Sequence, residues 1–260
     1  MSPAAGTGDL DAMLKRLHLP TIRRLYPELA LRAEAEGISY RDFLETLAAE
    51  EVARRAQTRI TRSVRRARFP YLRTVDEFDF TFQTSVRMQM LGTLLGPELV
   101  GEGRSAIFSG PPGRGKTHLA VAVAYRAIQN GFEAFFTSAD ELIGALSHAA
   151  QAGGLEAALE PYVHPHVLVI DELGYQSYAA DAANVLFRVV SIRHLKRRST
   201  LVTTNKPLAA LGQVLHDPDL AEAILDRLLE RGTHYVLRGR SYRTRNHREE
   251  LTQDAMIDAA

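Results

Sequence analysis

Residues 110–117 read Gly110-Pro111-Pro112-Gly113-Arg114-Gly115-Lys116-Thr117, which is the pattern G-x-x-x-x-G-K-[ST]. An apolar run, Ser105–Ser109, precedes it, and a segment of helical spacing from Lys116 to Asn130, closed by Gly131, follows. A strand, a glycine-rich turn and a helix in that order form a phosphate cradle. Successive backbone N–H groups wrap the anion, and the helix N-terminus adds its positive dipole end. Gly113 and Gly115 allow backbone conformations and a close approach that a Cβ would block. In such a loop Lys116 reaches the β- and γ-phosphates and Thr117 ligates Mg²⁺ through its hydroxyl. His118 stands next on the helix. The expected substrate is therefore ATP or a similar nucleotide, with Mg²⁺.

Further along, Val167-Leu168-Val169-Ile170-Asp171-Glu172 is an apolar strand that ends in two acids. A parallel strand delivers its last residues to the sheet edge where the phosphate loop lies. Asp171 is the expected second holder of Mg²⁺. Glu172 is the expected residue that orients or deprotonates an attacking water. A kinase acting on a small molecule has no need of the second acid, so Glu172 favours nucleotide hydrolysis. Thr200–Thr204 reads as another strand, and Asn205 after it could sense the γ-phosphate between the two motifs. Taken alone it would more readily cap the turn before Pro207, and the other two motifs favour the sensor.

Working outward, strand-like Glu133–Thr137, His166–Ile170, Thr200–Thr204 and His234–Arg238 alternate with helical Ala139–Ala150, Ala179–Lys196 and Ala221–Glu230. Uninterrupted apolar strands alternating with helices predict an α/β fold, a central parallel sheet flanked by helices. Upstream, Leu10–Glu36 and a long segment from Tyr40 to Arg68 have helical periodicity. Ser39 with Asp42 reads as a capping box. Residues 1–68 are expected to form a small all-helical domain and 69–260 the nucleotide-binding domain. An aromatic connector containing VDEFDFTFQ and a helix over Thr84–Leu95 join them.

The 260 residues carry 32 basic and 31 acidic side chains, contain no cysteine, and are 45% hydrophobic. Disulfides and thiolate metal sites are excluded. No apolar run reaches membrane-span length and the first residues lack a secretory pattern, so a cytoplasmic protein with no membrane partner is expected. The near-neutral total hides an asymmetry. Residues 1–75 hold 14 basic and 9 acidic groups, a balance of +5, and the remainder hold 18 and 22, a balance of −4. Arg54, Arg55, Arg59, Arg62, Arg65, Arg66 and Arg68 follow one another with no acid between them. A one-sign run forgoes stabilising i,i+4 pairs, which points to an anionic partner: duplex DNA through its phosphates, or an acidic protein surface. Arg193, Lys196, Arg197 and Arg198, and the series Arg238, Arg240, Arg243, Arg245 and Arg248, read as secondary basic patches. No base-reading motif is present, so low sequence specificity is expected.

Taken in order, GPPGRGKTHLA, VLVIDELG, LVTTN and ILDRLLERGTHYVLRGRSYR resemble the AAA+ ATPases of the IstB/DnaC group. Within that group the chain is most similar to the IstB-like helpers of insertion-sequence transposition. The resemblance implies an AAA+ P-loop NTPase fold, ATP-dependent homo-oligomerisation on duplex DNA, and cooperation with a DDE transposase. A bacterial protein, nucleoid-associated when on DNA, follows from it. The resemblance also implies that Arg227, in the motif DRL, is an arginine finger on a neighbouring subunit's ATP, and that Arg243, in SYR, is a second sensor. By the same resemblance Phe78 and Phe80 line the adenine pocket. The residues alone leave Arg227 equally able to pair with Asp226 or Glu230. Arg114 stands where such loops often carry a small residue, and it contributes backbone. A replicative helicase loader of the DnaC type would share the motor and use its N-terminal helices to grip a helicase. A small-molecule kinase and a nucleotide-gated scaffold are the remaining alternatives.

Overall fold

The structure, a computed structural model, describes residues 9–176 and 178–245. Arg248 and the first eight residues lie outside the described residues. The chain divides into two compact units, Met1–Arg62 and Ser63–Ala260. That division falls inside a helix, whereas the sequence reading places it at residue 68, where the helix stops.

The first unit is helical. α1 (Leu10–Arg16) is capped by Asp9, whose carboxylate accepts the Asp11 N–H at 3.1 Å. α2 (Pro20–Glu36) begins on Pro20, which lacks an N–H that would in any case be unpaired there, and ends at Gly37 with φ 68°. α3 spans Tyr40–Ala67. At its start the Ser39 hydroxyl accepts the Asp42 N–H and donates to the Asp42 carboxylate, closing the predicted box through side chains. Glu51 is buried and does structural work. One of its oxygens accepts the N–H groups of Thr21 and Ile22, and the other binds Arg55 at 2.9 Å. It thereby caps the start of α2, whose first N–H groups have no partner within the helix.

The second unit holds the sheet. Short helical turns, Met88–Leu91 (a 3₁₀ turn), α4 (Gly92–Leu95) and α5 (Glu98–Gly101), lead into β1 (Ser105–Ser109). Then come α6 (Lys116–Gln129), β2 (Ala134–Ser138), α7 (Ala139–Gln151), α8 (Leu155–Val163), β3 (Val167–Leu173), α9 (Ala182–Leu195), β4 (Ser199–Thr204), α10 (Leu211–Val214), α11 (Pro218–Glu230) and β5 (Gly232–Val236). All five strands are parallel, in the order β2-β3-β4-β1-β5. β1 and β4 are buried along their whole length, and β3 everywhere except Glu172. Inserting β4 between β1 and β3 is the decisive step. It sets the ends of the phosphate-loop strand, the acid-bearing strand and the Thr-Asn strand side by side.

Two local expectations change. The helix expected over Thr84–Leu95 is replaced by turns and the short 3₁₀ and α4 segments. Ser85 sends its N–H and hydroxyl to the Gln83 side chain, and such local bonds compete with a helix. α8 is not among the expected helices; it starts after Gly153 and Gly154 and contains Pro161, residue types that ordinarily interrupt a helix. Arg193 is the larger correction. It is no surface cation: it lies on α9, fully buried. Its guanidinium donates to the carbonyls of Tyr162, Pro165, His166 and Ser199 and to the Thr200 hydroxyl. It ties the end of α8 to the starting ends of β3 and β4. Burial lowers its pKa to about 9, so it stays protonated at neutral pH.

Candidate nucleotide-binding site

The cradle forms because α6 begins directly on the loop. Gly115 caps the helix with φ 89°, and Gly113 has φ 76°. A Cβ on Gly115 would lie 2.6 Å from the Phe78 ring, so this glycine serves both conformation and close approach. The loop flanks a cavity of about 450 Å³ lined by residues 112–118, together with Phe78, Glu172, Asn205 and Arg243. The predicted loop, hydrolytic acid and sensor therefore meet at one opening. Gly110 and Pro111 form the approach from β1. The Lys116 ammonium donates to the Pro111 carbonyl at 3.0 Å. Burial pulls its pKa below the ordinary 10.5, with Asp171 and Glu172 opposing that shift.

Beneath the opening, the Thr117 hydroxyl donates to Asp171 at 2.9 Å. These two oxygen-bearing groups come from α6 and β3, which are 54 positions apart in the chain. They suit a hard cation that keeps several waters and takes its other ligands from phosphate. Among the described residues no three His, Cys, Asp or Glu cluster as a self-contained metal site. Among the described residues the buried Asn205 side-chain oxygen has no hydrogen-bond partner, and Asn205 lines the cavity.

Phe78 lines the cavity, whereas Phe80 does not. Phe80 packs behind Phe78 at 4.8 Å between ring centroids, and Phe82 takes the lining position. His118 packs edge-on to Phe78 and its Nε2 lies 2.8 Å from the Thr74 carbonyl, fastening the connector to α6. Burial lowers the His118 pKa. Several lining residues have no sequence-level signal: Tyr71, Gln83, Thr203, Tyr175 and Tyr242. The chain after β5 crosses the site, with the Leu237 N–H on the Ser109 carbonyl and the Tyr242 N–H on the Gly113 carbonyl at 2.9 Å. Tyr242 meets Phe82 edge-on at 5.4 Å. That crossing brings Arg243 to the cavity.

Arg227 is not part of this cluster. It lies on α11, donates to the Ala223 carbonyl and sits over the Phe187 ring at 4.5 Å. It borders a second small pocket with Ser105, Arg198, Thr200 and Arg231. Ser105 starts β1 and the phosphate loop follows its end, so about 17 Å of strand separates the two regions. Arg54, Arg59 and Arg62 are exposed on α3 in the first unit, and Arg65 and Arg66 are exposed in the second. Arg55 differs: it is engaged by Glu51 and the His18 carbonyl.

The IstB-like ATP-binding protein family matches residues 12–250. The chain belongs to this family. Among its relatives, the insertion sequence IS5376 ATP-binding protein of Geobacillus stearothermophilus is 37% identical over 241 residues, covering 92% of this chain and 96% of that protein. The insertion sequence IS21 ATP-binding protein of Pseudomonas aeruginosa is 34% identical, covering 93% and 91%. The DnaC helicase loader structure is 26% identical with a TM-score of 0.51, over 58% of this chain and 87% of the other. DnaA from Aquifex aeolicus shares the fold with a TM-score of 0.56 at 18% identity, over 72% of this chain and 56% of the other. The IstB-like domain here is thus an AAA+ P-loop fold with a five-stranded parallel sheet. Among the described residues no helix is long and apolar enough to cross a membrane.

Proposed function

We propose that this IstB-like chain binds and hydrolyses ATP with Mg²⁺, assembles with copies of itself on duplex DNA, and assists a DDE transposase in insertion-sequence transposition. The observation that carries the ATPase part is the convergence of Lys116, Thr117, Glu172 and Asn205 at one cavity, with Asp171 bonded to Thr117 beneath it. Thr117 and Asp171 would hold Mg²⁺, which when bound neutralises phosphate charge and orients the transferring group. Lys116 exchanges its Pro111 carbonyl for phosphate oxygen. Glu172, exposed to the cavity on a sheet of buried neighbours, accepts a proton from the attacking water, and Asn205 orients that water or the γ-phosphate. Phe78 packs against the base, and Arg243 faces the phosphates from the crossing tail. Arg227, remote from its own cavity, acts on a neighbouring copy's ATP. That makes assembly a condition of fast turnover, worth ~10³-fold or more where such fingers operate.

DNA binding is supported by the exposed Arg54, Arg59 and Arg62, and transposition by relatives that align along nearly the whole chain and carry insertion-sequence names. The 26% identity with the DnaC loader favours a second reading, helicase loading, which capture of a replicative helicase would select. The test is ATP hydrolysis measured with and without duplex DNA and with Glu172→Gln in parallel. Hydrolysis should rise with DNA, and the variant should bind ATP while losing on the order of 10²-fold or more in rate. Equal rates for the variant and the parent would refute the assigned role of Glu172. Rates that respond to a metabolite and not to DNA would refute the helper role.

A further inference from the structure

β3 and β4 pair residue for residue from Val167↔Ser199 to Ile170↔Val202, and the next pairing is Leu173↔Thr204. Two residues of β3, Asp171 and Glu172, therefore face one residue of β4, Thr203. This is a bulge at the point where the acids leave the strand. Within it Glu172 has φ 59°, left-handed backbone that a non-glycine residue adopts only when its surroundings hold it there.

Thr203 is fully buried and is placed to do that holding. Its hydroxyl accepts the Glu172 N–H at 2.9 Å and donates to Asp171 Oδ1 at 2.6 Å. The direction follows from the amide N–H, which only donates and so leaves the hydroxyl's one proton for the carboxylate. The same Asp171 oxygen accepts the Thr117 hydroxyl. One threonine hydroxyl thus links the backbone that aims the hydrolytic acid to the carboxylate proposed to hold the cation. On the far side of the turn, the Gly174 N–H donates to the Tyr178 hydroxyl at 2.9 Å, and the Thr204 hydroxyl donates to the Leu173 carbonyl at 2.6 Å. The Glu172 carbonyl is itself engaged there, accepting the Tyr175 N–H at 3.2 Å and the Tyr178 hydroxyl at 3.4 Å, so the part left to Thr203 is the Glu172 N–H and its link to Asp171.

We propose that Thr203 is a positioning residue for nucleotide hydrolysis, coupling the orientation of Glu172 to that of Asp171 through its single hydroxyl. The proposal rests on the hydrolytic reading of the site, and it acts through two other residues rather than on substrate.

Thr203→Val keeps the shape and removes the hydroxyl, whereas Thr203→Ser keeps the hydroxyl. Thr200→Val makes the same exchange at the far end of β4, where the threonine side chain bonds Arg193. Steady-state ATPase kinetics and amide hydrogen exchange at Glu172 are measured on all three and on the parent. The expected result is faster Glu172 exchange in Thr203→Val, a kcat lower by ~10- to 100-fold with KM for ATP little moved, and a higher Mg²⁺ midpoint. Thr203→Ser should restore all of these, and Thr200→Val should lower stability without this pattern. Unchanged Glu172 exchange in Thr203→Val, or unchanged kcat with altered exchange, would overturn the proposal. Should the parent itself not hydrolyse ATP, the proposed function fails. The exchange and Mg²⁺-binding comparisons then decide for or against the Thr203 linkage independently.

Discussion

Replacing Arg193 by Met tests whether this cation is a buried brace or part of a DNA-binding surface. Met replaces the aliphatic stem as far as the position of Nε and removes every donor. Five acceptors are affected: the carbonyls of Tyr162, Pro165, His166 and Ser199, and the Thr200 hydroxyl. The His166 carbonyl keeps the Ser199 N–H, and the Thr200 hydroxyl can rotate. The Tyr162, Pro165 and Ser199 carbonyls lose the guanidinium in a buried place. At about 1–3 kcal/mol for each orphaned group, and less the desolvation cost that the parent carries for its charge, the net loss is about 3 kcal/mol. For a unit of about 200 residues this corresponds to a fall in melting temperature of roughly 6–12 °C. Thermal unfolding with Lys196→Met as control is the assay. Lys196 is exposed, and its loss should change stability by about 0.5 kcal/mol or less. An Arg193→Met protein that melts within about 2 °C of the parent, yet loses DNA affinity, would refute the burial argument and restore the surface-patch reading.

Four further outcomes are expected. Neutralising Arg54, Arg59 and Arg62 together should weaken duplex binding on any sequence and flatten the log–log salt dependence by about 2.7, or 0.9 per phosphate contact, in a salt titration. Arg55→Gln should instead destabilise the first unit, since Arg55 serves Glu51 and the His18 carbonyl, and denaturant unfolding would register that. Gly115→Ala should abolish nucleotide binding, because φ 89° is strained for alanine and the new methyl would meet Phe78; calorimetry with ATP checks it. Stability should fall as pH drops below 6.5. Burial, followed by the neighbouring Arg198, holds the His166 pKa below that ordinary value, and its Nδ1 accepts the Glu133 N–H. The unfolded chain then binds a proton before the folded one does, so the contribution is complete above pH 6.5 and is lost as pH falls through the lower folded value. His166→Asn should flatten that limb of the stability–pH curve.

The parts of the site legible in the sequence are those made by contiguous residues. Residues 110–117 build a cradle out of their own backbone, so the motif and its flanking strand and helix suffice to identify it. Asp171 and Glu172 end an apolar strand, and strand direction alone sends them to the same edge. Phe78, Asn205 and Arg243 are also picked out, but other side chains that reach the cavity from separate elements carry no signal of their own. Tyr71, Gln83 and Tyr242 arrive through the connector and the tail crossing, and Thr203 looks like any strand threonine until it faces the bulge. The Thr84–Leu95 helix fails for a related reason, since the Gln83 and Ser85 side chains compete for the backbone.

Arginine shows the division most plainly. Local pattern determined that the chain carries a one-sign run on α3 and further arginines near residue 193, because charge order is a property of sequence. Which of them meet water was decided only by tertiary structure. Arg193 falls on the buried face of α9 and becomes a brace, whereas Arg54, Arg55, Arg59 and Arg62 remain exposed, Arg55 while paired with Glu51 one turn earlier on the same helix. The nucleotide-binding motif and the alternation of strands and helices were likewise set by neighbouring residues. The order β2-β3-β4-β1-β5, which puts Asn205 and Thr203 between the phosphate loop and the acids, was not. Strand order depends on how amphipathic helices cover both faces of a sheet, and that is a balance of long-range burial no short stretch of chain contains.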